Sequence, residues 1–157
     1  MAEQINAADA EPRAAVPTPS AALDIVAALL ALVGLGDAVY LTVEHLTGAT
    51  LQCSITHGCA EVLGSPYATV GGLPLAAFGA AAYFTVFSLS TLAAFGYAWA
   101  RSIVAPLVAL MFLFTLWLLY LQAFVLHAFC QYCLLSATVT TLLTLTVVAR
   151  RLTNRRA

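Results

Sequence analysis

The feature of this sequence that most constrains its fold is a set of four long apolar runs with almost no charge. A helix that crosses a bilayer needs about 20 consecutive apolar residues, and runs of that kind occupy about residues 22–43, 73–98, 103–126 and 132–149. Only 8% of the residues are charged, against about a quarter in an ordinary soluble domain. The runs are continuous rather than alternating, which disfavours membrane strands. We therefore predict an all-α integral membrane protein, a bundle of four transmembrane helices.

The connections between the runs predict how the helices are arranged. Short turns follow the second and third runs, so sequential helices are expected to be antiparallel neighbours. The long outer loop, residues 44–72, contains "HGCAEVLGSPY", which predicts a short surface helix that ends before Ser65 and Pro66. The membrane domain is expected to span 22–150. It is flanked by a polar segment, 1–21, that reads as a disordered cytoplasmic tail rather than a signal peptide, and by a basic tail, 151–157.

The distribution of basic residues predicts the orientation of the bundle. All six are arginines, and in a four-span chain they share one side with both termini: Arg13, Arg101, Arg150, Arg151, Arg155 and Arg156. The positive-inside rule then predicts a multi-pass protein of the plasma (inner) membrane with both termini in the cytoplasm. The opposite, periplasmic or extracellular side contains no arginine but carries all four cysteines and all three histidines. Paired cysteines can form disulfides in such an oxidising compartment.

A Cys-x-x-Cys pair, Cys130 and Cys133 in "CQYC", opens the fourth predicted helix. The unsatisfied backbone N–H groups and the positive end of the helix dipole favour a thiolate there. Because the thiolate is the nucleophile of disulfide exchange, this position predicts a redox-active dithiol. The alternative is a structural disulfide or two buried apolar cysteines.

A second pair, Cys53 and Cys59 in "CSITHGC", lies in the outer loop. By itself it would be an ordinary loop disulfide, but beside a Cys-x-x-Cys at the membrane surface it suggests a relay of electrons by thiol–disulfide exchange. A structural zinc site usually has ligands two to four residues apart, so the Cys-x5-Cys spacing fits zinc poorly. No metal site is predicted.

The electron acceptor is not indicated by any cofactor motif, since Rossmann, P-loop and haem-attachment patterns are absent. A lipid-soluble quinone is the acceptor that a membrane site can offer. The third run is rich in aromatic residues that could stack on its ring or simply face lipid: Phe112, Phe114, Trp117, Tyr120 and Phe124. Two polar residues lie inside predicted spans, where they either carry quinone protons or hydrogen-bond between helices. Hydrogen bonding is favoured for Gln122, and both roles stay open for Asp37.

Three motifs in this order, "CSITHGC", "SPYATVGGLP" and "CQYC", resemble the bacterial members of the vitamin K epoxide reductase family over roughly residues 24–149. The resemblance implies a four-helix bundle around a quinone of the menaquinone or ubiquinone type, with Cys130 and Cys133 as the redox centre. It further implies that Cys53 and Cys59 exchange with a thioredoxin-like partner and that Ser65 lies near the quinone.

Two departures from the vertebrate members of that family favour quinone reduction over epoxide reduction. Ala137 stands where those members have a tyrosine, and "LPLAAFG" contains no counterpart of their quinone-binding asparagine. Many bacterial relatives also carry a fused thioredoxin-like domain. None follows Arg151, so the partner is expected to be a separate thioredoxin-fold (DsbA-like) protein on the outer side.

These observations predict a membrane thiol:quinone oxidoreductase that oxidises a thioredoxin-fold partner in oxidative protein folding. Membrane lipid is the other expected partner, and nucleic acid is not expected. One rival is the other four-helix family of disulfide-generating membrane enzymes, but it carries its Cys-x-x-Cys in the first outer loop. The second rival is a non-enzymatic membrane scaffold or metal carrier with two structural disulfides.

Overall fold

Four long helices dominate the structure, a computed structural model that describes residues 19–48 and 58–156. The membrane helices are α1 (Pro19–Thr47), α3 (Leu75–Ala94), α4 (Ala98–Tyr120) and α5 (Gln131–Arg156). Between α1 and α3 lie a short helix α2 (Cys59–Leu63), a 3-10 turn (Pro66–Ala68), and strands β1 (Thr69–Val70) and β2 (Leu73–Pro74). A π-helical segment, Leu121–Val125, extends α4. All four long helices are long and apolar enough to cross a membrane, which confirms the predicted fold class.

The bundle is a square in which α1 and α4 each pack against both α3 and α5. Small side chains such as Ala27, Ala31 and Ala93 are almost fully buried at its centre. Membrane helices associate through such residues because small side chains allow close backbone approach, and lipid provides no hydrophobic force between them. Large apolar side chains, Leu110 and Leu113 among them, point outward and are more than half exposed, as expected of a surface in contact with lipid.

Glycines with positive φ form two of the tight turns in the described chain. At the end of α3, Gly96 has a positive φ of 97°. Its N–H donates to Ala93 O, and the Tyr97 N–H donates to Leu92 O, which is the Schellman pattern that ends a helix. In the outer loop, Gly71 and Gly72 also have positive φ and join β1 to β2 as an antiparallel hairpin. The sequence analysis predicted no strands, and this hairpin is confined to two residues a side.

Several boundaries differ from the sequence prediction. The spans predicted at 73–98 and 103–126 put a turn at 99–102. Helix α3 ends at Ala94 and α4 begins at Ala98 instead, because Gly96 with its positive φ ends α3 earlier.

The fourth span was placed at 132–149 with a tail after it, but α5 continues to Arg156. Arginine is a good helix former and is favourable near a helix C-terminus, where the dipole is negative. Helix α1 begins at Pro19, within the segment expected to be a disordered tail. The rest of that tail, residues 1–18, lies outside the described residues.

Candidate redox site

Three of the four cysteines lie at the same end of the bundle. Cys130 is fully buried directly before α5, and Cys133 is half-buried in the first turn of that helix. Both are free thiols. Cys59 is the first residue of α2, is buried, and is disulfide-bonded. Cys53 lies outside the described residues. The Cys59 and Cys130 sulfurs are 3.5 Å apart, which is contact distance for two residues that are 71 positions apart in sequence.

A close backbone approach brings these two sulfurs together. Gly58, directly before α2, lies so near the chain preceding α5 that an added Cβ would stand 2.7 Å from Phe129 N and 2.9 Å from Phe129 O. Only glycine fits there without moving backbone atoms. Val62 of α2 and Ala128 are buried in the same small apolar cluster as Cys59 and Cys130. The short helix is therefore docked onto the turn that carries the Cys-x-x-Cys pair.

The turn before α5 is held by Gln122. The chain widens into the π-helical segment at this residue, and its side chain is turned inward and 3% exposed. Gln122 Oε1 accepts a hydrogen bond from the Cys130 N–H at 3.2 Å, and Gln122 O accepts one from the Ala128 N–H. His127, between them, adopts a φ of 48°, which is uncommon for a residue other than glycine. The sequence favours hydrogen bonding over proton transfer for Gln122, and in the structure Gln122 accepts hydrogen bonds from the turn before α5.

Cys130 occupies the N-cap position of α5, because its carbonyl accepts the Leu134 N–H. A hydrogen bond from the Cys133 thiol lowers the pKa of Cys130 to about 7, and the backbone N–H groups of Cys133 and Tyr132 act in the same direction while burial opposes them. An N-cap side chain normally accepts such N–H groups. The residue that contacts Cys59 is thus also the one whose thiolate is stabilised.

A largely apolar cavity of about 530 Å³ lies beside the inner pair, as we call Cys130 and Cys133. Cys133 lines it, whereas Cys130 and Cys59 do not. The four residues proposed from the sequence as quinone contacts all line the same cavity: Asp37, Ser65, Phe114 and Gln122. The remaining aromatic candidates of the third run do not line it, and Trp117, Tyr120 and Phe124 are between 47% and 67% exposed toward the lipid side. Of these aromatic residues only Phe114 lines the cavity.

Two polar residues that line the cavity differ in their remaining capacity for hydrogen bonds. Ser65 Oγ donates to Val62 O at 2.7 Å, so its hydrogen is committed to the backbone. Asp37 Oδ2 is buried and has no hydrogen-bond partner in the structure. A buried polar atom without a partner is costly, and this one belongs to a residue that lines the cavity.

The sequence analysis missed two polar clusters. Tyr83, Ser136 and Thr140 form a hydrogen-bonded group on the cavity wall. The signal was the i, i+3, i+7 spacing of Cys133, Ser136 and Thr140, which places them on one helix face. At the opposite end of the bundle, Asp24 is fully buried between two arginines. The sequence feature that could have revealed this second cluster is the carboxylate of Asp24 inside the first apolar run. Within residues 19–48 and 58–156, no cluster of three or more His, Cys, Asp or Glu is placed to hold a metal ion.

The sequence model of the vitamin K epoxide reductase family matches residues 25–148, which covers α1, the outer loop, α3, α4 and most of α5. A comparison with curated protein sequences finds no match.

Proposed function

Because the chain belongs to the vitamin K epoxide reductase family, and is thus a multi-pass membrane oxidoreductase, we propose that it is a thiol:quinone oxidoreductase. It oxidises a separate thioredoxin-fold partner and reduces a quinone, supporting oxidative protein folding outside the cytoplasm. In each cycle two thiols of the partner become a disulfide. The two electrons and two protons convert one quinone into one quinol, so the reaction balances without another reactant.

The observation that carries this proposal is the order of the three sulfurs. Cys59 contacts Cys130 at 3.5 Å, and Cys133 lines the cavity. After the partner has reduced the loop disulfide, the Cys59 thiolate attacks Cys130 of the oxidised inner pair and releases Cys133. Cys53 then attacks Cys59, which restores the loop disulfide and releases Cys130. A bonded Cys59 beside free Cys130 and Cys133 is the distribution expected after these two exchanges.

The cavity fits a quinone of the menaquinone or ubiquinone type. Its volume of about 530 Å³ lies within the range of small-molecule pockets, roughly 300–1,000 Å³, and its wall is mostly apolar with few polar groups. The unpartnered Asp37 Oδ2 is available to a proton or to a ligand. A bound quinone supplies a two-electron, two-proton acceptor. Ser65, Asp37, Phe114 and Gln122 would hold it, and Cys133 faces it.

The test is a reconstituted reaction with the full chain in lipid vesicles and a reduced thioredoxin-fold protein as electron donor. We expect loss of donor thiols together with quinone reduction, followed by absorbance, and only when quinone is present. Menaquinone-type and ubiquinone-type analogues in parallel identify the acceptor. Thiol oxidation at the same rate without any quinone would contradict the proposal.

Cys133→Ala is the matched control for this reaction. It removes the sulfur that lines the cavity, so we expect quinone reduction to fall to background while Cys53 and Cys59 still exchange with thiols. Near-wild-type quinone reduction by this variant would show that the assignment of Cys133 is wrong. If the wild-type cysteines stay oxidised in the presence of reduced donor, the scaffold with two static disulfides is the correct alternative.

A further inference from the structure

Three hydroxyl groups form a cluster on the cavity wall that the cysteine relay does not use. Tyr83 of α3 places its hydroxyl oxygen 2.8 Å from Ser136 Oγ and 2.8 Å from Thr140 Oγ1. The Tyr83 hydroxyl also donates to Ser136 O at 3.1 Å. Tyr83 and Thr140 are 2% and 1% exposed, and all three residues line the cavity. Hydroxyls buried among apolar side chains are unfavourable unless they are bonded, so the cluster is a stable unit.

One hydrogen in this cluster is not committed to the backbone. The threonines of α5 each donate to a carbonyl four residues earlier: Thr138, Thr140, Thr141, Thr144, Thr146 and Thr153. Ser136 is the exception among the serine and threonine hydroxyls of α5 that the structure describes. Tyr83 donates to Ser136 O, and either hydroxyl can be the donor between Tyr83 and Ser136 Oγ. Because a serine hydroxyl rotates freely and accepts as well as donates, Ser136 can turn its hydrogen toward a ligand oxygen in the cavity while its Oγ stays beside Tyr83.

The position of Ser136 matches that role. It follows Cys133 by three residues, so the two side chains lie on the same face of α5, one turn apart. The Cys133 sulfur and the Ser136 hydroxyl thus line the same ligand space. Ser65 lines that space as well, but its hydrogen is donated to Val62 O.

Tyr83 is fixed in place by the neighbouring helix. Gly34 of α1 is so close to the Tyr83 ring that an added Cβ would overlap the ring carbons. The ring therefore occupies a slot that the missing side chain of Gly34 leaves open. Its hydroxyl is held toward Ser136 before any ligand enters, and a pre-positioned chain of hydrogen bonds strengthens the donor at its end.

We propose that Ser136, with Tyr83 as its positioning residue, is the hydrogen-bond donor to a carbonyl oxygen of the quinone that Cys133 reduces. This inference rests on the proposed function. Negative charge develops on the quinone oxygens during reduction, and a donor that is already aimed at such an oxygen stabilises that charge without reorganisation. The chain thereby supplies from α3 and α5 a polar contact that "LPLAAFG" and Ala137 do not offer.

The experiment uses the full chain in lipid nanodiscs with the short quinone menadione, ¹³C-labelled at one carbonyl or the other. A hydrogen bond lowers the carbonyl stretching frequency in the infrared spectrum. In Ser136→Ala the lowered band of one labelled carbonyl should move up to the position of a free carbonyl. Menadione binding should weaken about 3- to 10-fold, the range for one neutral hydrogen bond. Ser136→Thr keeps a hydroxyl, but the threonines of α5 donate to the carbonyl four residues earlier, so its band should also move up. Tyr83→Phe should give a smaller upward shift.

Thr115→Val is the matched control, because Thr115 also lines the cavity but lies on α4. It should leave the band unchanged. A band that stays in place in both Ser136→Ala and Tyr83→Phe, or that moves only in Thr115→Val, overturns the assignment while leaving the proposed function intact. A wild-type protein with no bound-quinone band overturns both. Thermal unfolding of each variant verifies that it is folded, and the conservative Ser136→Thr provides the readout if Ser136→Ala is not.

Discussion

Cys130 and Cys133 are chemically different although they belong to one motif. The Cys130 sulfur caps α5 and receives hydrogen bonds from the Cys133 thiol and from backbone N–H groups. The Cys133 sulfur lies one turn further along and lines the cavity. A sulfur that contacts another cysteine is suited to exchange, and a sulfur beside a ligand space is suited to electron delivery. Under the proposed function, the motif therefore divides exchange and electron delivery between Cys130 and Cys133.

The shifted pKa predicts a pH dependence for Cys130. With its pKa lowered to about 7 from an ordinary value of 9.0, its thiolate should form as the pH rises through about 7 and be nearly complete by about pH 8. Thiol exchange should rise over the same window. Cys133→Ala removes the largest cause of the shift and should move the midpoint upward. The measurement is the ultraviolet thiolate absorbance of the reduced protein minus that of Cys130→Ser. A thiolate midpoint near pH 9 in both the wild type and Cys133→Ala would contradict the lowered pKa of Cys130.

At the scale of elements, the position of the short helix α2 determines whether the Cys59 sulfur can reach the Cys130 sulfur. It has only five residues, Cys59–Leu63, too few to be stable alone. Its position depends on burial of Cys59 and Val62 and on the contact of Gly58 with Phe129. Undocking of α2 would separate the two sulfurs without altering either of them.

Gly58→Ala tests that docking. The added methyl group would stand 2.7 Å from Phe129 N, so α2 must move away, and the yield of the Cys59–Cys130 bond should fall at least about tenfold for a displacement costing ~1.4 kcal/mol. Gly36→Ala is the control, since nothing lies within 4 Å of its added Cβ. The yield is measured by mass spectrometry of non-reduced peptides in a Cys53→Ala background. Equal yields in the two variants would show that α2 does not depend on this contact.

The relay itself predicts a trapped intermediate. In the wild type, Cys53 can attack Cys59 and resolve the Cys59–Cys130 bond from the loop side. Cys53→Ala removes that route, so alkylated and non-reduced digests under oxidising conditions should contain a Cys59–Cys130 cross-linked peptide. Cys133 can still resolve the bond, so its population rises without becoming complete. Finding only Cys130–Cys133, with Cys59 fully alkylated at every quinone level, would mean that the pairs do not exchange.

At the scale of the whole molecule, one carboxylate joins the four membrane helices at the end opposite the cysteines. Asp24 of α1 is paired with Arg101 of α4 and Arg150 of α5. Arg101 also donates to Ala93 O at the end of α3, and Arg150 donates to Arg101 O. Arg150 is only 4% exposed. A buried cation of this kind requires its partner, because a charge left unpaired in the interior is strongly destabilising.

Asp24→Asn should therefore destabilise the bundle. It leaves buried Arg150 without a counter-charge, and the expected loss is about 3–5 kcal/mol in the free energy of unfolding. The measurement is unfolding in mixed detergent micelles followed by circular dichroism. The exposed Arg151 provides the control, and Arg151→Gln should change the free energy by less than about 0.5 kcal/mol. Equal small losses of unfolding free energy in the two variants would show that the ion pairs of Asp24 do not stabilise the bundle.

The orientation of the molecule is a separate prediction from the arginine distribution. The structure places the Asp24 cluster at one end of the bundle and Cys59 and Cys130 at the other, and the positive-inside rule assigns the arginine end to the cytoplasm. A membrane-impermeant thiol reagent applied to intact, reduced cells should label Cys53, and should label the buried Cys59 only as fast as α2 undocks. Labelling that requires opening of the inner face would reverse the orientation.

The sequence by itself determined the number of spans, the bundle and the residues capable of redox chemistry. These properties are local. Bilayer thickness acts on each apolar run separately, and a Cys-x-x-Cys at a helix start has its chemistry wherever the helix packs. For the same reason the ends of α5 and α1 were less predictable, because no change of hydropathy marks where a helix that leaves the membrane stops.

Only the tertiary structure decided which residues meet. The Cys59–Cys130 contact, the cavity shared by Asp37 and Cys133, and the bonds of Tyr83 to Ser136 all join separate segments. Each depends on the rotation and depth of one helix against another. Those are set by close packing of small residues and glycines such as Gly58, and apolar runs that are hydrophobic all round carry no stripe to specify that rotation.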